Sequence, residues 1–280
     1  MSIFRNINRY LGAVTFCLFK KFNLDIHITE HCNLNCKGCT HFSPIAEKEF
    51  IDLEIMEKSL MKLSKYNKIF KAIQLLGGEP LLNPDIVKII PLVRKIFPNS
   101  NIIIFTNGLL LNSIDRQLPD FWSLVNEYNI GIKVTKYPIN LNINLIKYIC
   151  DKHKVKVEFC NNNDKHQWYS FKLKREKNNL IAFRYKWFKL FQCSTYHCIQ
   201  LVGTNLYPCP HSAYMRHIKN RFNLNWTHYK EDYLDITKVN SAQEIRKFMI
   251  KAVPFCRHCG SRYKKSIWGK SEYSEDEWIE

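Results

Sequence analysis

Three cysteines lie within one short segment near the start of the chain, directly after a strand-like run at residues 24–29. They are Cys32, Cys36 and Cys39. Thiols at this spacing can face one point from a single loop. An iron–sulfur cube has four iron corners, so three protein thiolates leave one iron open to another ligand. A structural zinc site normally has four protein ligands. The segment therefore favours a cluster with an open corner, and the alternative is a zinc knuckle completed by His31 or His41.

Strand-like apolar runs alternate with amphipathic, helix-like segments up to about residue 160. The predicted strands are 24–29, 70–76, 101–106, 130–135 and 155–159. The predicted helices are 53–66, 85–97, 115–128 and 141–152. This alternation is typical of parallel strands joined by right-handed crossovers. We therefore expect an α/β fold with parallel strands.

Two further motifs follow predicted strands. Gly77-Gly78-Glu79-Pro80 comes after the second strand, and Thr106-Asn107-Gly108 comes after the third. Active sites of parallel α/β sheets lie at the carboxyl ends of the strands. The cysteine segment and both turns therefore belong to one edge of the predicted sheet, which indicates a single site.

The order of these motifs, CxxxCxxC then GGEP then TNG, resembles the radical S-adenosylmethionine (radical SAM) superfamily. The resemblance covers about residues 22–160. It implies a partial (β/α)6 TIM-like barrel with parallel strands. It also implies that Cys32, Cys36 and Cys39 hold a [4Fe–4S] cluster whose fourth iron binds S-adenosylmethionine (SAM). Reductive cleavage of SAM would then give a 5′-deoxyadenosyl radical that abstracts hydrogen from an inert carbon, while the protein orients the reactants and excludes water.

The resemblance implies a set of cofactor-binding residues: Gly77, Gly78, Glu79, Pro80, Thr106, Asn107 and Phe42. The two glycines would let the backbone approach the SAM amino acid closely, Glu79 would accept from its ammonium, and Thr106 and Asn107 would contact the ribose. Many family members have an aromatic residue immediately before the third cysteine, where this chain has Gly38. Phe42 or His41 is therefore expected to contact the adenine.

A second group of cysteines follows in the last third of the chain: Cys193, Cys198, Cys209, Cys256 and Cys259. Residues 202–209 predict a hairpin turn and a strand that ends in a thiol, and 256–259 is a CxxC. This layout resembles the twitch or SPASM modules that carry auxiliary clusters. Five cysteines suit one further [4Fe–4S] cluster, with Cys193 and Cys198 competing for or sharing the last coordination. A zinc ribbon is the alternative, because a CxxC pair binds zinc or iron.

We expect four regions along the chain. They are a basic amphipathic N-terminal segment at 1–21, the radical SAM core at 22–185, the auxiliary module at 186–265 and an acidic, solvated tail at 266–280. The N-terminal segment lacks a signal-peptide cleavage site, so a helix packed on the domain is expected, and peripheral membrane contact is less favoured. Eleven cysteines at metal-like spacings without an export signal indicate a reducing cytoplasm.

Three cysteines lie outside both groups, and three histidines lie near the predicted site. Cys17, Cys150 and Cys160 are expected to be structural, since cysteine is among the most buried residue types. His211 and His217 are expected to be hydrogen-bonded structural histidines. For His27, on the first strand, the sequence leaves two alternatives: a structural role and a role near the substrate.

The net charge of +17 indicates an anionic partner, although an AT-rich genome would also produce this composition. With the resemblance, it predicts hydrogen abstraction from a small anionic metabolite, a sugar or nucleotide derivative, with a net oxidation through the auxiliary cluster. The reductant would be a low-potential donor of the ferredoxin or flavodoxin type.

Three other functions fit parts of the sequence. A peptide-modifying maturase usually has a longer region before its core than the roughly 21 residues here. A cyclase of the molybdopterin pathway typically ends in a glycine pair, whereas this chain ends in Trp278-Ile279-Glu280. A zinc-dependent nucleic-acid-binding protein would fit the charge and the interleaved aromatics, but a nucleic-acid partner is not expected.

Overall fold

The computed structural model describes residues 21–160, 167–176, 193, 198–260 and 264–280. Some predictions fall on residues outside these ranges. They are those for the N-terminal segment up to residue 20, for Cys17 and for the domain boundary at 185.

The described strands form two sheets. The strands are β1 Phe22–Thr29, β2 Phe70–Gly77, β3 Ile102–Thr106, β4 Gly131–Thr135, β5 Val157–Cys160, β6 Gln167–Ser170, β7 Cys198–Val202, β8 Asn205–Tyr207, β9 Leu234–Asp235 and β10 Lys264–Ile267. The larger sheet has the order β5-β4-β3-β2-β1-β7-β8-β9, and β10 pairs with β6. Strands β1 to β5 and β7 run parallel, and β8 and β9 continue the sheet as antiparallel strands.

This mostly parallel sheet confirms the expected α/β fold and is consistent with a partial TIM-like barrel. The sixth parallel strand, β7, pairs with β1 and sets Asp25 opposite Gln200. In a barrel wound in chain order, the sixth strand would lie beside the fifth. Residues 198–207 were predicted to belong to a separate module, but they extend the sheet of the core.

The helices lie mainly between the parallel strands. They are α1 Leu53–Ser64, α2 Ile86–Ile96, α3 Ile114–Gln117, α4 Phe121–Glu127, α5 Ile143–Lys152, α6 Pro210–Ala213, α7 Met215–Arg221 and α8 Ala242–Ile250. The single helix predicted at 115–128 is two helices, because Pro119 lies between α3 and α4 and has no N–H to continue the ladder. Within the described residues, no helix combines the length and the apolar character needed to span a membrane.

The two faces of β1 differ in chemistry. Leu24, Ile26 and Ile28 are fully buried in the core that α1 and α2 cover. The alternate residues, Asp25 and His27, are polar and equally buried on the opposite face. Side chains alternate between the faces of a strand, so this second face, which we call the inner face, carries polar groups inside the molecule.

The C-terminal segment, residues 266–280, is anchored in the protein near its end. Trp278 is only 1% exposed and belongs to a second apolar core with Phe42, Tyr214 and Phe255. Its backbone carbonyl accepts from the Leu173 N–H at 2.7 Å. This differs from the acidic tail expected from the sequence, because the apolar Trp278 and Ile279 anchor the end of the chain in that core.

Candidate active site

A cavity of about 170 Å³ lies at the carboxyl ends of β1 to β4. The three thiols of the cysteine loop, which we define as residues 30–43, line one side. The turns after β2, β3 and β4 line the other side with Gly77, Gly78, Thr106, Asn107 and Tyr137. The structure therefore brings the cysteine motif and both glycine-containing turns around one space.

The three thiols are strongly biased toward the protonated form when no cation is bound. Burial raises the pKa of Cys32 to about 12 and raises those of Cys36 and Cys39 as well. Each of Cys32 and Cys36 also feels its neighbouring cysteines, because several thiolates in one low-dielectric space repel each other. A bound cationic centre removes both penalties and deprotonates its thiol ligands. The donor set therefore fits an iron–sulfur cluster.

The two histidines of the zinc alternative have other contacts. The Nδ1 atom of His31 lies 3.2 Å from the Thr29 hydroxyl oxygen. His41 lines the cavity, and its ring centroid is 4.7 Å from that of His27. Among the residues that the structure describes, no three side chains of His, Cys, Asp or Glu form a group that could hold a single metal ion.

The cysteine loop has three residues in the left-handed region: Asn35 with φ of 53°, Gly38 with φ of 62° and Phe42 with φ of 57°. Glycine adopts this conformation without steric cost, and asparagine is the residue that next tolerates it. Gly38, at the position where the family often has an aromatic residue, therefore suits the backbone conformation of the loop. The turn that follows is closed by the Phe42 N–H, which donates to the Cys39 carbonyl at 3.0 Å.

Gly77 and Gly78 lie against the backbone where the chain leaves β1. A Cβ at Gly77 would overlap the Thr29 carbonyl oxygen, and one at Gly78 would overlap that of His31. The Gly78 N–H donates to the Thr29 carbonyl at 2.9 Å. The glycines line the cavity, as expected for SAM contact. However, the structure requires glycine at both positions because a side chain would collide with the protein's own backbone.

Glu79 is fully buried and joins two turns instead of facing the cavity. Its carboxylate accepts from the Thr106 hydroxyl at 2.6 Å and from the Asn107 N–H at 2.8 Å. Burial raises the pKa of Glu79 to about 7, against the lowering effect of these hydrogen bonds. Pro80, also buried, begins the short 3-10 turn that follows. The expected contact of Glu79 with the SAM ammonium is therefore not matched by its placement.

Thr106 and Asn107 line the cavity, where the family resemblance expects a ribose contact. The Asn107 side-chain amide donates to the Asn33 side chain at 2.7 Å and lies 3.7 Å from the Cys32 sulfur. Asn107 therefore links the turn after β3 to the cysteine loop. Its position relative to Cys32 is fixed indirectly by Glu79.

Of the two candidates for the adenine contact, His41 lines the cavity and Phe42 does not. Phe42 is fully buried in the second core, with its ring centroid 5.9 Å from that of His211 and 6.4 Å from that of Trp278. Burial lowers the pKa of His41 well below its usual range, so its imidazole is neutral. Of the two residues, His41 alone lines the cavity, and an adenine contact of His41 stays a prediction.

Three cysteines of the second group are near each other. Cys198 stands at the start of β7, where burial raises its pKa to about 12 and the negative charges of Asp25, Cys193 and Cys209 add to the rise. Cys256 and Cys259 belong to the 3-10 turn at Pro254–His258 and its cap. The Cys259 N–H donates to the Cys256 carbonyl at 3.2 Å. Sharing of one cluster by all five thiols stays a prediction.

His27 faces the interior and stacks on Tyr214, with ring centroids 3.8 Å apart. Its Nδ1 is 3.6 Å from Glu30, and the Nε2 of His217 is 2.7 Å from the same carboxylate. The pKa of Glu30 is lowered because the two histidines outweigh the opposing effect of burial. His211 is buried against aromatic rings, and burial lowers its pKa to about 3.

The remaining isolated cysteines sit apart from the cavity. Cys150 on α5 is fully buried in the main core, as expected of a structural cysteine. Cys160 ends β5 and is only partly buried. Burial raises the pKa of Cys160, while the nearby charges of Lys133 and Glu158 act on it in opposite directions.

Sequence reasoning missed several polar residues on the inner face. Asp25 accepts from the Gln200 side-chain amide at 2.7 Å, and burial raises the pKa of Asp25 to about 7. Lys133 is opposite Glu158 in the sheet, and their charged groups are 2.9 Å apart. The signal was present in the alternation of Asp25 and His27 with buried aliphatic residues along β1.

The comparison with protein families decides what the cavity belongs to. Residues 26–151 match the sequence model of the Radical SAM superfamily. This chain carries a radical SAM domain. The domain includes the cysteine loop and the turns after β2, β3 and β4, so all the residues that line the cavity lie within it. Enzymes of this superfamily use a [4Fe–4S] cluster together with SAM.

Curated relatives match over part of their length. The GTP 3′,8-cyclase of Sulfurimonas denitrificans is 31% identical over 116 residues, which cover 40% of this chain and 35% of that protein. Molybdenum cofactor biosynthesis protein 1 of Bos taurus is 36% identical over 97 residues, which cover 34% of this chain and 15% of that protein. The chain thus spans about a third or less of the length of these relatives.

Among solved structures, BtrN in complex with AdoMet and 2-DOIA matches with a TM-score of 0.49 and 17% identity, covering 86% of this chain and 93% of that one. Streptococcus suis SuiB bound to S-adenosylmethionine matches with a TM-score of 0.35 and 12% identity, covering 91% and 74%.

Proposed function

We propose that the protein is a radical SAM enzyme whose cluster is held by Cys32, Cys36 and Cys39 and whose SAM binds in the adjoining cavity. One observation carries the proposal: inside a radical SAM domain, three cysteine thiols and the turns after β2 and β3 border the same cavity. When bound, the cluster and SAM supply a 5′-deoxyadenosyl radical that abstracts hydrogen from an unactivated carbon.

The residues around the cavity divide into binding and supporting groups. The thiolates bind the cluster, and the turn that carries Thr106 and Asn107 borders the cosubstrate from the opposite side. Glu79 supports that side, since its carboxylate holds both residues through their hydroxyl and N–H groups. The neutral imidazole of His41 offers a flat ring for the adenine. The protein thereby orients the reactants and excludes water.

We assign the substrate to the inner face of the sheet, next to the cavity. Phe105 and Thr135 line the cavity and share this face with Lys133, whose Nζ lies 5.8 Å from the Phe105 ring centroid. A phosphate or carboxylate on the substrate could replace Glu158 as the partner of the Lys133 ammonium. Together with the net charge of +17, this supports a small anionic metabolite, a sugar or nucleotide derivative. Some relatives are named GTP 3′,8-cyclases, which supports a nucleotide as one candidate substrate within this class.

The second group of cysteines is assigned to one auxiliary [4Fe–4S] cluster. The proximity of Cys193, Cys198 and Cys209 supports this assignment, and the CxxC at 256–259 would complete it. An auxiliary cluster can accept the electron that remains on a substrate radical, which makes the reaction a net oxidation. The first cluster would receive its electron from a ferredoxin or flavodoxin type of donor.

The metal content tests the proposal directly. Protein purified or reconstituted without oxygen should contain about eight irons and as many sulfides per chain if both clusters are present, and about four if only the first forms. Zinc without iron would overturn the radical SAM assignment and leave the zinc alternatives of the sequence.

Release of 5′-deoxyadenosine tests the chemistry. With SAM and a strong reductant, the loaded protein should release 5′-deoxyadenosine, and Cys36→Ala should not. Cys150→Ala is the matched control, because this thiol lies in the main core and should leave the release unchanged. Adding a panel of nucleotides and sugar phosphates then tests the substrate class, since the true substrate should accelerate release.

A further inference from the structure

The C-terminal segment crosses the cysteine loop and pairs with it through the backbone. The Lys37 N–H donates to the Gly269 carbonyl, and the Ser271 N–H donates to the Asn35 carbonyl, both at 2.8 Å. Cys36 and Lys270 form an antiparallel bridge between these bonds. The residue that carries the central sulfur of the motif is therefore fixed by a segment more than two hundred positions away.

This pairing brings Trp268 close to Cys36. The indole Nε1 of Trp268 is buried and has no hydrogen-bond partner in the described structure. A buried polar group without a partner costs free energy and is rare in folded proteins. Trp268 stands two positions before Lys270, the partner of Cys36 in the antiparallel bridge, so the pairing places the unpartnered indole beside Cys36, whose thiol is a weak acceptor. A thiolate is a far stronger acceptor.

A second donor approaches the same sulfur from the cavity. Tyr137 follows β4 and lines the cavity, and its ring centroid is 6.3 Å from that of Trp268. Tyr137 borders the same cavity as Cys36, and a tyrosine hydroxyl is a hydrogen-bond donor at neutral pH.

We propose that Trp268 and Tyr137 form a donor pair for the Cys36 sulfur and thereby raise the reduction potential of the cluster bound there. The inference rests on the proposed function, since it needs a cluster at the cysteine loop. Hydrogen bonds to ligating sulfurs tune the potential of iron–sulfur clusters, because they stabilise the more negative reduced state. The pair is made of positioning residues that act on the cluster through Cys36.

The test is a redox titration of the reconstituted cluster in wild type, Trp268→Phe, Tyr137→Phe and the double variant. Each single variant should shift the midpoint to lower potential, and the double variant should shift it further. A tenfold change in the ratio of reduced to oxidised cluster corresponds to about 59 mV for a one-electron couple. Trp268→His keeps a ring N–H and should restore part of the shift.

Trp122→Phe is the matched control. Trp122 is a more deeply buried tryptophan, 2% exposed, that stacks on His153 far along the sequence from both groups of cysteines, so its replacement should leave the midpoint unchanged. Midpoints in Trp268→Phe and Tyr137→Phe equal to that of wild type would overturn the inference while leaving the proposed function intact. A wild-type protein that binds no cluster would instead overturn the proposed function.

Discussion

The two regions that carry grouped cysteines are built in different ways. In the cysteine loop, all three thiols come from consecutive turns of one segment, and the opposite wall comes from turns that directly follow β2 and β3. In the region from 198 onward, the thiols come from a strand, a turn and a distant 3-10 turn. The first site is encoded locally. The second depends on how distant segments pack.

The two regions are nevertheless joined at several points. The Trp278 indole donates to the Cys39 carbonyl at 2.9 Å across 239 positions of sequence. The Asp25 carboxylate on β1 accepts from Gln200 on β7. A locally encoded motif therefore relies on support that only the folded chain supplies, and separate tests can show how far each region acts alone.

The largest expected effect is the separate loss of each cluster. Cys36→Ala should lose about half of about eight irons and all release of 5′-deoxyadenosine, because the remaining two thiols cannot hold a cube that normally needs three. Cys209→Ala should lose the other half of the iron and keep the release. Iron analysis and 5′-deoxyadenosine assays on both variants measure this.

If Cys209→Ala removed all the iron, the two regions would form one cooperative unit. The difference between a locally encoded site and a site built from distant segments would then be wrong. Cys150→Ala again serves as the control for loss of a buried thiol outside both groups.

The second effect concerns the end of the chain. Trp278→Ala should lower the free energy of unfolding by about 5 kcal/mol, because truncating a fully buried Trp costs about 3–5 kcal/mol and its hydrogen bond adds about 1 kcal/mol. Urea denaturation measures this. Ile267→Ala lies in the same C-terminal segment, but its side chain is 83% exposed, so the change should be within about 0.5 kcal/mol. Equal losses of unfolding free energy in the two variants would mean that the C-terminal segment is solvated, as the sequence predicted.

The sequence predicted the strands of the parallel sheet and the shared edge of three motifs because these depend on local patterns. Each of β1 to β4 lies within about two residues of its predicted bounds. The sequence did not predict that Glu79 turns inward or that Phe42 joins the second core. Both depend on partners brought by tertiary packing, Thr106 in one case and Trp278 in the other. It also missed the pairing of β7 with β1, because strand order across a sheet leaves no local signal.

The third effect tests the link between β1 and β7. The pKa of Asp25 is raised to about 7 from 3.8 by burial, so its contribution to stability is fully present below pH 4 and is lost as the pH rises through 7. At about 1.4 kcal/mol per pKa unit, the loss is about 4 kcal/mol. Asp25→Asn keeps the acceptor for Gln200 and removes the titration. Its stability relative to wild type should therefore increase between pH 4 and pH 8, as measured by urea denaturation at both values.

A pH-independent difference between Asp25→Asn and wild type would mean that Asp25 is not protonated on folding. Glu79, whose pKa is also raised to about 7, remains in both proteins and cancels from the difference.

The smallest stability effect is expected at Lys133, and it separates a structural role from one in binding. Lys133 on the inner face and Lys147 on α5 each have the Nζ 5.8 Å from a phenylalanine ring centroid, Phe105 and Phe159 respectively. The ion pair of Lys133 with Glu158 is partly exposed, so Lys133→Ala should cost less than about 1 kcal/mol. Lys147→Ala should cost a similar amount because its ring contact is the same. Only Lys133→Ala should raise the concentration of anionic substrate needed to accelerate 5′-deoxyadenosine release, since only Lys133 shares a face with the cavity. Equal substrate dependence in the two variants would move the substrate away from the inner face.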